Sequence, residues 1–201
     1  KKDLLVSLPV KKINLIAIGS STGGVQAAMR IVEKLPKDIP PVVWVQHMPP
    51  TFTKSFAERL NGLASCAVKE AQDTETLKRG TCYIAAGGFQ MRVYAQGGKF
   101  FLKVEGTEKV SGFCPSCDAL FNSVAEVGSE NVLGVILTGM GHDGTQGLLK
   151  MRERGAYVIG QDQKSCVVYG MPKAAFEAGA VNAQFDLEDI SSAIKKVCGL
   201  I

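Results

Sequence analysis

Short apolar runs that end in glycine or a polar turn, each followed by apolar residues at helical spacing, constrain this chain more than anything else in it. Residues 13–18 form such a run, bounded by Gly19. An apolar stretch without alternation suits a strand buried on both faces. Val25, Ala28, Met29, Val32 and Leu35 then recur at helical spacing, and Pro36 stops the helix. Residues 42–46 read as a second strand, and Phe52, Phe56, Ala57 and Leu60 as a second helix. Residues 67–69 and 81–85 read as further strands. Residues 91–95 and 99–104 flank Gln96-Gly97-Gly98, whose Gly-Gly predicts a hairpin turn. A helix at about 116–128, a buried strand at 132–137, a helix at 144–154, a strand at 156–160 and short helices near 172–179 and 186–198 complete the pattern. Strand–helix alternation predicts an α/β fold, a doubly wound, mostly parallel sheet of about seven strands flanked by helices. One β-hairpin interrupts it, and the whole is Rossmann-like.

Bulk properties bound the function. A chain of 201 residues suits one domain, and 46% hydrophobic content allows a sizeable core. Residues 1–12 carry four lysines against one aspartate and read as a linker or tail; most of the formal charge of +4 sits there. The body, residues 13–201, is nearly neutral and has no basic stripe interleaved with aromatics, which argues against nucleic acid as a partner. The apolar runs are too short to span a bilayer, and no apolar leader segment is visible, so no membrane insertion is expected. Six scattered cysteines form no disulfide framework and point to a reducing, cytoplasmic compartment. Only Cys114-Pro115-Ser116-Cys117 has suggestive spacing. A zinc site there needs two further ligands, and the chain has just two histidines, so an incidental pair is the reading adopted, with redox or metal use as the alternatives.

In open α/β sheets, sites collect beyond the carboxyl ends of the strands. Three such ends carry reactive side chains: Gly19-Ser20-Ser21-Thr22-Gly23-Gly24, Gln46-His47-Met48-Pro49-Pro50 and Thr138-Gly139-Met140-Gly141-His142-Asp143-Gly144. A parallel sheet points all three the same way. Gly19–Gly23 matches G-x-S-x-G, where glycines permit a sharp strand-to-helix turn that exposes the serine. The local sequence leaves open a hydrolase nucleophile, a phosphate-binding turn and a plain structural turn. Ser21 holds the central position; Thr22 reads as a helix cap or hydrogen-bond donor, and Ser20 as a packing residue. His47 is the candidate base, since His142 beside Asp143 makes a poor base–orienter couple. Asp143 is the candidate orienter, with capping of the helix that follows it as the other reading. Met140, between two glycines, is a candidate oxyanion donor through its backbone N–H.

At these residues the chain resembles the catalytic domain of the CheB family, the chemotaxis receptor methylesterases. Cys166-Val167-Val168-Tyr169-Gly170-Met171-Pro172 and Pro115-Ser116-Cys117-Asp118 are also similar to the family. The resemblance implies a serine hydrolase with Ser21, His47 and Asp143 as its triad, supported by Met140 and Thr22. It implies hydrolysis of glutamate γ-methyl esters on the cytoplasmic helices of chemoreceptors, with methanol released, and deamidation of receptor glutamines. No metal or cofactor is implied. The implied partners are the chemoreceptors and an N-terminal receiver domain phosphorylated by the chemotaxis histidine kinase; residues 1–12 then fall at the end of its linker. The chain departs from the family's pattern at Ser20, where a small Ala is common, at Cys117, where an aliphatic residue is typical, and at Gln90, in place of a His. An Arg often found within 108–113 is missing.

Overall fold

The structure, a computed structural model, describes residues 5, 7–128 and 130–201. In chain order the elements are β1 (Leu15–Ser20), α1 (Gly24–Val32), β2 (Val42–Gln46), α2 (Thr53–Asn61), β3 (Ala67–Glu70), β4 (Thr81–Ile84), β5 (Gln90–Gln96) and β6 (Lys99–Glu105). They continue with α3 (Cys117–Glu126), β7 (Val132–Ile136), α4 (Thr145–Glu153), β8 (Tyr157–Gln161), α5 (Met171–Glu177), β9 (Ala183–Phe185) and α6 (Leu187–Val197). Seven strands form one sheet in the order β3-β4-β2-β1-β7-β8-β9, every pair parallel. β5 and β6 form a separate antiparallel hairpin. The doubly wound α/β architecture expected from the alternation is therefore the one observed.

The apolar runs are continuous because both sheet faces are covered. Along β1, Ile16 and Ile18 face a core shared with α1, α2 and α6, where Ile31, Leu60 and Ile194 pack. Leu15 and Ala17 face the opposite core, with Leu120 and Phe121 of α3, Leu148 and Met151 of α4, Ala175 of α5 and Leu102 of the hairpin. This is the two-residue period of a strand with a partner on each side. Each fully buried Leu, Ile or Phe in these layers contributes roughly 1.5–3 kcal/mol.

Two details were not read from the sequence. β9 is three residues long and edges the sheet beside β8; Ala183-Gln184-Phe185 is too short and too polar to show as a strand. Part of the segment read as a tail packs on the body: Leu8 is buried, and the Lys11 N–H donates to the Val197 carbonyl at 2.7 Å. Its charged residues Lys1, Lys2 and Asp3 lie outside the described residues. No helix among the described residues is long and apolar enough to cross a membrane.

β1 is the strand at which the winding reverses. β2 lies on one side of it and β7 on the other, and in open α/β sheets sites form beyond the carboxyl end of such a strand.

Candidate active site

Register brings the sequence-distant residues together. Ser20 pairs with Gln46 across β1 and β2, so Ser21 and His47 are the next residues on adjacent strands. The His47 N–H donates to the Ser20 carbonyl at 3.0 Å. On the other side of β1, the Ser21 N–H donates to the Thr138 carbonyl at 3.0 Å. Gly23 follows in the left-handed region, with φ of 83°, and begins α1 without a side-chain cap. A side chain there would be strained by φ alone, which is the physical reason for the second glycine of the turn. Thr22 is exposed and does not cap the helix, contrary to the capping expectation. Its N–H, unlike that of Ser21, makes no backbone hydrogen bond among the described residues.

His47 and Asp143 meet. The ring Nε2 lies 2.7 Å from Asp143 Oδ2, and both side chains are almost wholly removed from solvent. The Asp143 carboxylate accepts three further hydrogen bonds: from Ser116 Oγ at 2.8 Å, from the Cys117 N–H at 2.7 Å and from the Asp118 N–H at 2.9 Å. Asp143 does cap a helix, but that helix is α3, 25 residues before it in sequence, and not α4, whose N-cap is Gly144 and which has no side-chain cap. Burial pushes its carboxyl upward, yet the hydrogen bonds from His47, the two N–H groups and Ser116 outweigh burial and hold it below the usual aspartate value. It is therefore an anion at neutral pH. An ionised carboxylate only accepts, so Nε2 carries a ring proton, and in the neutral imidazole Nδ1 holds the lone pair. Nδ1 is buried and has no hydrogen-bond partner among the described residues. The ring lies flat on Phe113, with centroids 3.8 Å apart and planes 8° from parallel. The Ser21 hydroxyl makes no hydrogen bond to the ring or to any other described residue.

Gln46 ties the two strand ends together. Its amide nitrogen donates to the carbonyls of Ser21 at 2.9 Å and His47 at 3.0 Å. Its amide oxygen accepts from Ser20 Oγ at 2.6 Å, and Ser20 Oγ in turn accepts from Trp44 Nε1 at 2.8 Å. Ser20 thus does more than pack: its hydroxyl is the middle of a buried chain from Trp44 to the turn. Gln90 performs a similar task one loop away. It is fully buried; it donates to the Glu108 and Phe113 carbonyls and accepts from the Ser116 N–H. It therefore fixes both Phe113, which covers His47, and Ser116, which holds Asp143. Phe113, Gln46, Ser116 and Gln90 were not singled out as site residues in the sequence. A buried polar residue at the end of an apolar strand was the available signal for Gln46.

His142 is exposed, and its carbonyl accepts from Thr145 in the local turn. Met140 is 70% exposed, and its N–H makes no backbone hydrogen bond among the described residues. Gly139 lies so close to the serine that a Cβ on it would stand 2.8 Å from Ser21 Cβ. Cys114 and Cys117 are free thiols. Burial pushes Cys114 up; burial, then the Asp143 and Asp118 carboxylates, push Cys117 well above the usual thiol range. A redox-active thiol needs a lowered pKa, so both cysteines point away from that role.

The arrangement can take a proton at Nδ1, keep the resulting cation against a carboxylate, and offer unpaired N–H groups at Thr22 and Met140 to a developing oxyanion. The sequence model of the CheB methylesterase family matches residues 16–194. The protein-glutamate methylesterase/protein-glutamine glutaminase 2 of Syntrophomonas wolfei is 50% identical over 183 residues, which is 91% of this chain and 54% of that protein. The protein-glutamate methylesterase/protein-glutamine glutaminase of Sulfurimonas denitrificans is 49% identical over all 201 residues, covering 56% of its length. The chain spans about half the length of the curated relatives it matches. The crystal structure of the Thermotoga maritima CheB methylesterase catalytic domain superimposes with a TM-score of 0.88 at 40% identity, over 94% of this chain and 99% of that one.

Proposed function

The chain belongs to the CheB methylesterase family, and on that premise we propose that it hydrolyses γ-methyl esters of glutamate on chemoreceptors, with Ser21 as nucleophile, His47 as base and Asp143 as orienter. The observation that carries the reading is the His47–Asp143 pair, 2.7 Å apart at Nε2, which leaves the buried and unpartnered Nδ1 as the base atom on the strand next to Ser21.

In this reading Ser21 Oγ attacks the ester carbonyl and His47 Nδ1 takes the hydroxyl proton. The ring becomes a cation held between the Asp143 carboxylate and the face of Phe113. The N–H groups of Thr22 and Met140 receive the oxyanion; each such donor is worth about 2.7–4 kcal/mol in the transition state. Nδ1 then returns the proton to the departing methoxide, and methanol leaves. Water attacks the acyl-serine with Nδ1 as base again. The names of the relatives pair methylesterase with glutaminase, and the same steps deamidate glutamine when Nδ1 protonates the departing amide nitrogen, which leaves as ammonia. The substrates are the cytoplasmic helices of methyl-accepting chemoreceptors. Residues 13–201 are the catalytic unit in the cytoplasm, and residues 1–12 join it to a receiver domain phosphorylated by the chemotaxis histidine kinase.

A fluorophosphonate directed at activated serines is expected to label Ser21, as mapped by peptide mass, while Ser21→Ala loses both the label and methanol release and keeps its circular dichroism spectrum. Labelling at another serine, or turnover retained in Ser21→Ala, would refute the assignment.

A further inference from the structure

The proposed hydrolysis leaves one reactive group at its centre unused. Cys117 Sγ is fully buried and lies 3.8 Å from His47 Nε2, on the residue whose own N–H donates to Asp143. The three side chains His47, Cys117 and Asp143 place their nitrogen, sulfur and carboxylate oxygen within 4.8 Å of one another. We propose that these three side chains form a binding site for a thiophilic divalent cation, zinc(II) or its mimic cobalt(II), and that the bound ion shuts off the base.

Distances favour it. Around a tetrahedral zinc, bonds of about 2.0–2.3 Å set neighbouring nitrogen, oxygen and sulfur ligands roughly 3.3–3.7 Å apart. The sulfur–nitrogen separation of 3.8 Å lies just above that range, so a small approach of the two side chains seats the ion. The nitrogen–oxygen pair is at 2.7 Å because a proton now lies between them, and it widens when the larger cation takes that place. The carboxylate is held independently by Ser116 and the Asp118 N–H on its other oxygen, so it stays aimed at the site. Charge also favours it. One thiolate and one carboxylate neutralise a divalent ion in a buried position, and imidazole with thiolate is a donor set that selects zinc over harder cations. The same carboxylates that disfavour a bare Cys117 thiolate attract the cation that stabilises it.

The step balances without electron transfer. The Cys117 S–H bond breaks, its proton goes to solvent, and a metal–sulfur bond forms. The ring proton leaves Nε2, which binds the ion, and the ring is protonated at Nδ1 instead. A single proton is released per ion. Nδ1 then has no lone pair for the Ser21 proton. That last consequence rests on the proposed hydrolysis; the binding does not.

Cobalt(II) titration of the purified, metal-free chain tests the site. The expected result is a thiolate-to-cobalt charge-transfer band in the near ultraviolet with visible bands of tetrahedral intensity, saturating at a single ion with release of a single proton. Cys117→Val and Cys117→Ser lose the band and bind zinc(II) at least about tenfold more weakly in competition with a chromophoric chelator. Cys114→Ser and Ser21→Ala keep both, and Ser21→Ala reports on the site even if the hydrolysis assignment fails. A wild-type spectrum without the band overturns the site, as does a band that survives both Cys117 variants. A full band with methanol release undiminished overturns the shut-off.

Discussion

Asp143 accepts four hydrogen bonds through two oxygens, from His47, Ser116 and the N–H groups of Cys117 and Asp118. Asn in its place turns one of those oxygens into an NH2 group, which cannot accept. Each stranded buried donor costs about 1–3 kcal/mol. Asp143→Asn is therefore expected to lower the urea midpoint as well as turnover, the latter on the order of 10⁴-fold through loss of the correct ring tautomer. The sign with pH follows from the carboxyl being held below its ordinary value. Its contribution is fully present above the unfolded carboxylate value, about 3.9, and fades as pH falls through the lower folded value. The stability gap between wild type and Asp143→Asn should thus shrink in urea titrations taken from about pH 7 down to about pH 3. A constant gap would contradict the assignment. Gln46 allows a second residue-scale prediction. Gln46→Leu keeps the volume but strands the carbonyls of Ser21 and His47 and the Ser20 hydroxyl. A loss of about 1–3 kcal/mol is expected for a buried group so stranded, with a fall in kcat/KM; thermal denaturation and methanol release read the two effects.

Helix α3 serves the site through its first turn. Ser116 is its N-cap, accepting from the Ala119 N–H at 3.2 Å while donating to Asp143. The next two N–H groups turn to Asp143 instead of water, so the positive end of the helix faces the Asp143 carboxylate. Ser116→Ala removes a cap worth about 1 kcal/mol and frees one carboxylate oxygen to reorient. The expected outcome is a lower melting temperature together with reduced turnover, and Ser116→Asp restoring the cap without restoring turnover, because it places a second negative charge against Asp143. This helix also shows what the sequence could reveal at the scale of elements. The apolar period of α3 was legible, as were β1, β2, β7 and the hairpin, because each carries its own signal within a few residues. The role of its first turn was not, since it depends on a residue 25 positions away.

At the scale of the whole molecule, the exposed large apolar side chains Phe52, Phe89, Met140 and Val167 fall in loops that follow the carboxyl ends of β2, β4, β7 and β8. Parallel strands bring all four loops to the edge that carries Ser21. On the proposed function, this edge receives the receptor helix. Phe89→Asp is expected to raise KM for methylated receptor several-fold while hydrolysis of a small soluble ester is unchanged; equal losses on both substrates would argue against docking there. The sequence by itself determined the alternation of buried strands and amphipathic helices, hence a parallel sheet, and hence that residues beyond its strand ends share one edge. It also placed Ser21, His47 and Asp143 among them, because glycine turns and strand ends are local features. Only the tertiary structure decided which groups finish the site: that Asp143 caps α3 and not its own helix, that Gln46 and Gln90 brace the turns, that Phe113 covers the imidazole, and that Cys117 stands beside it. These depend on how strand register and helix packing bring distant backbone donors to one point, and no local pattern of residues encodes that.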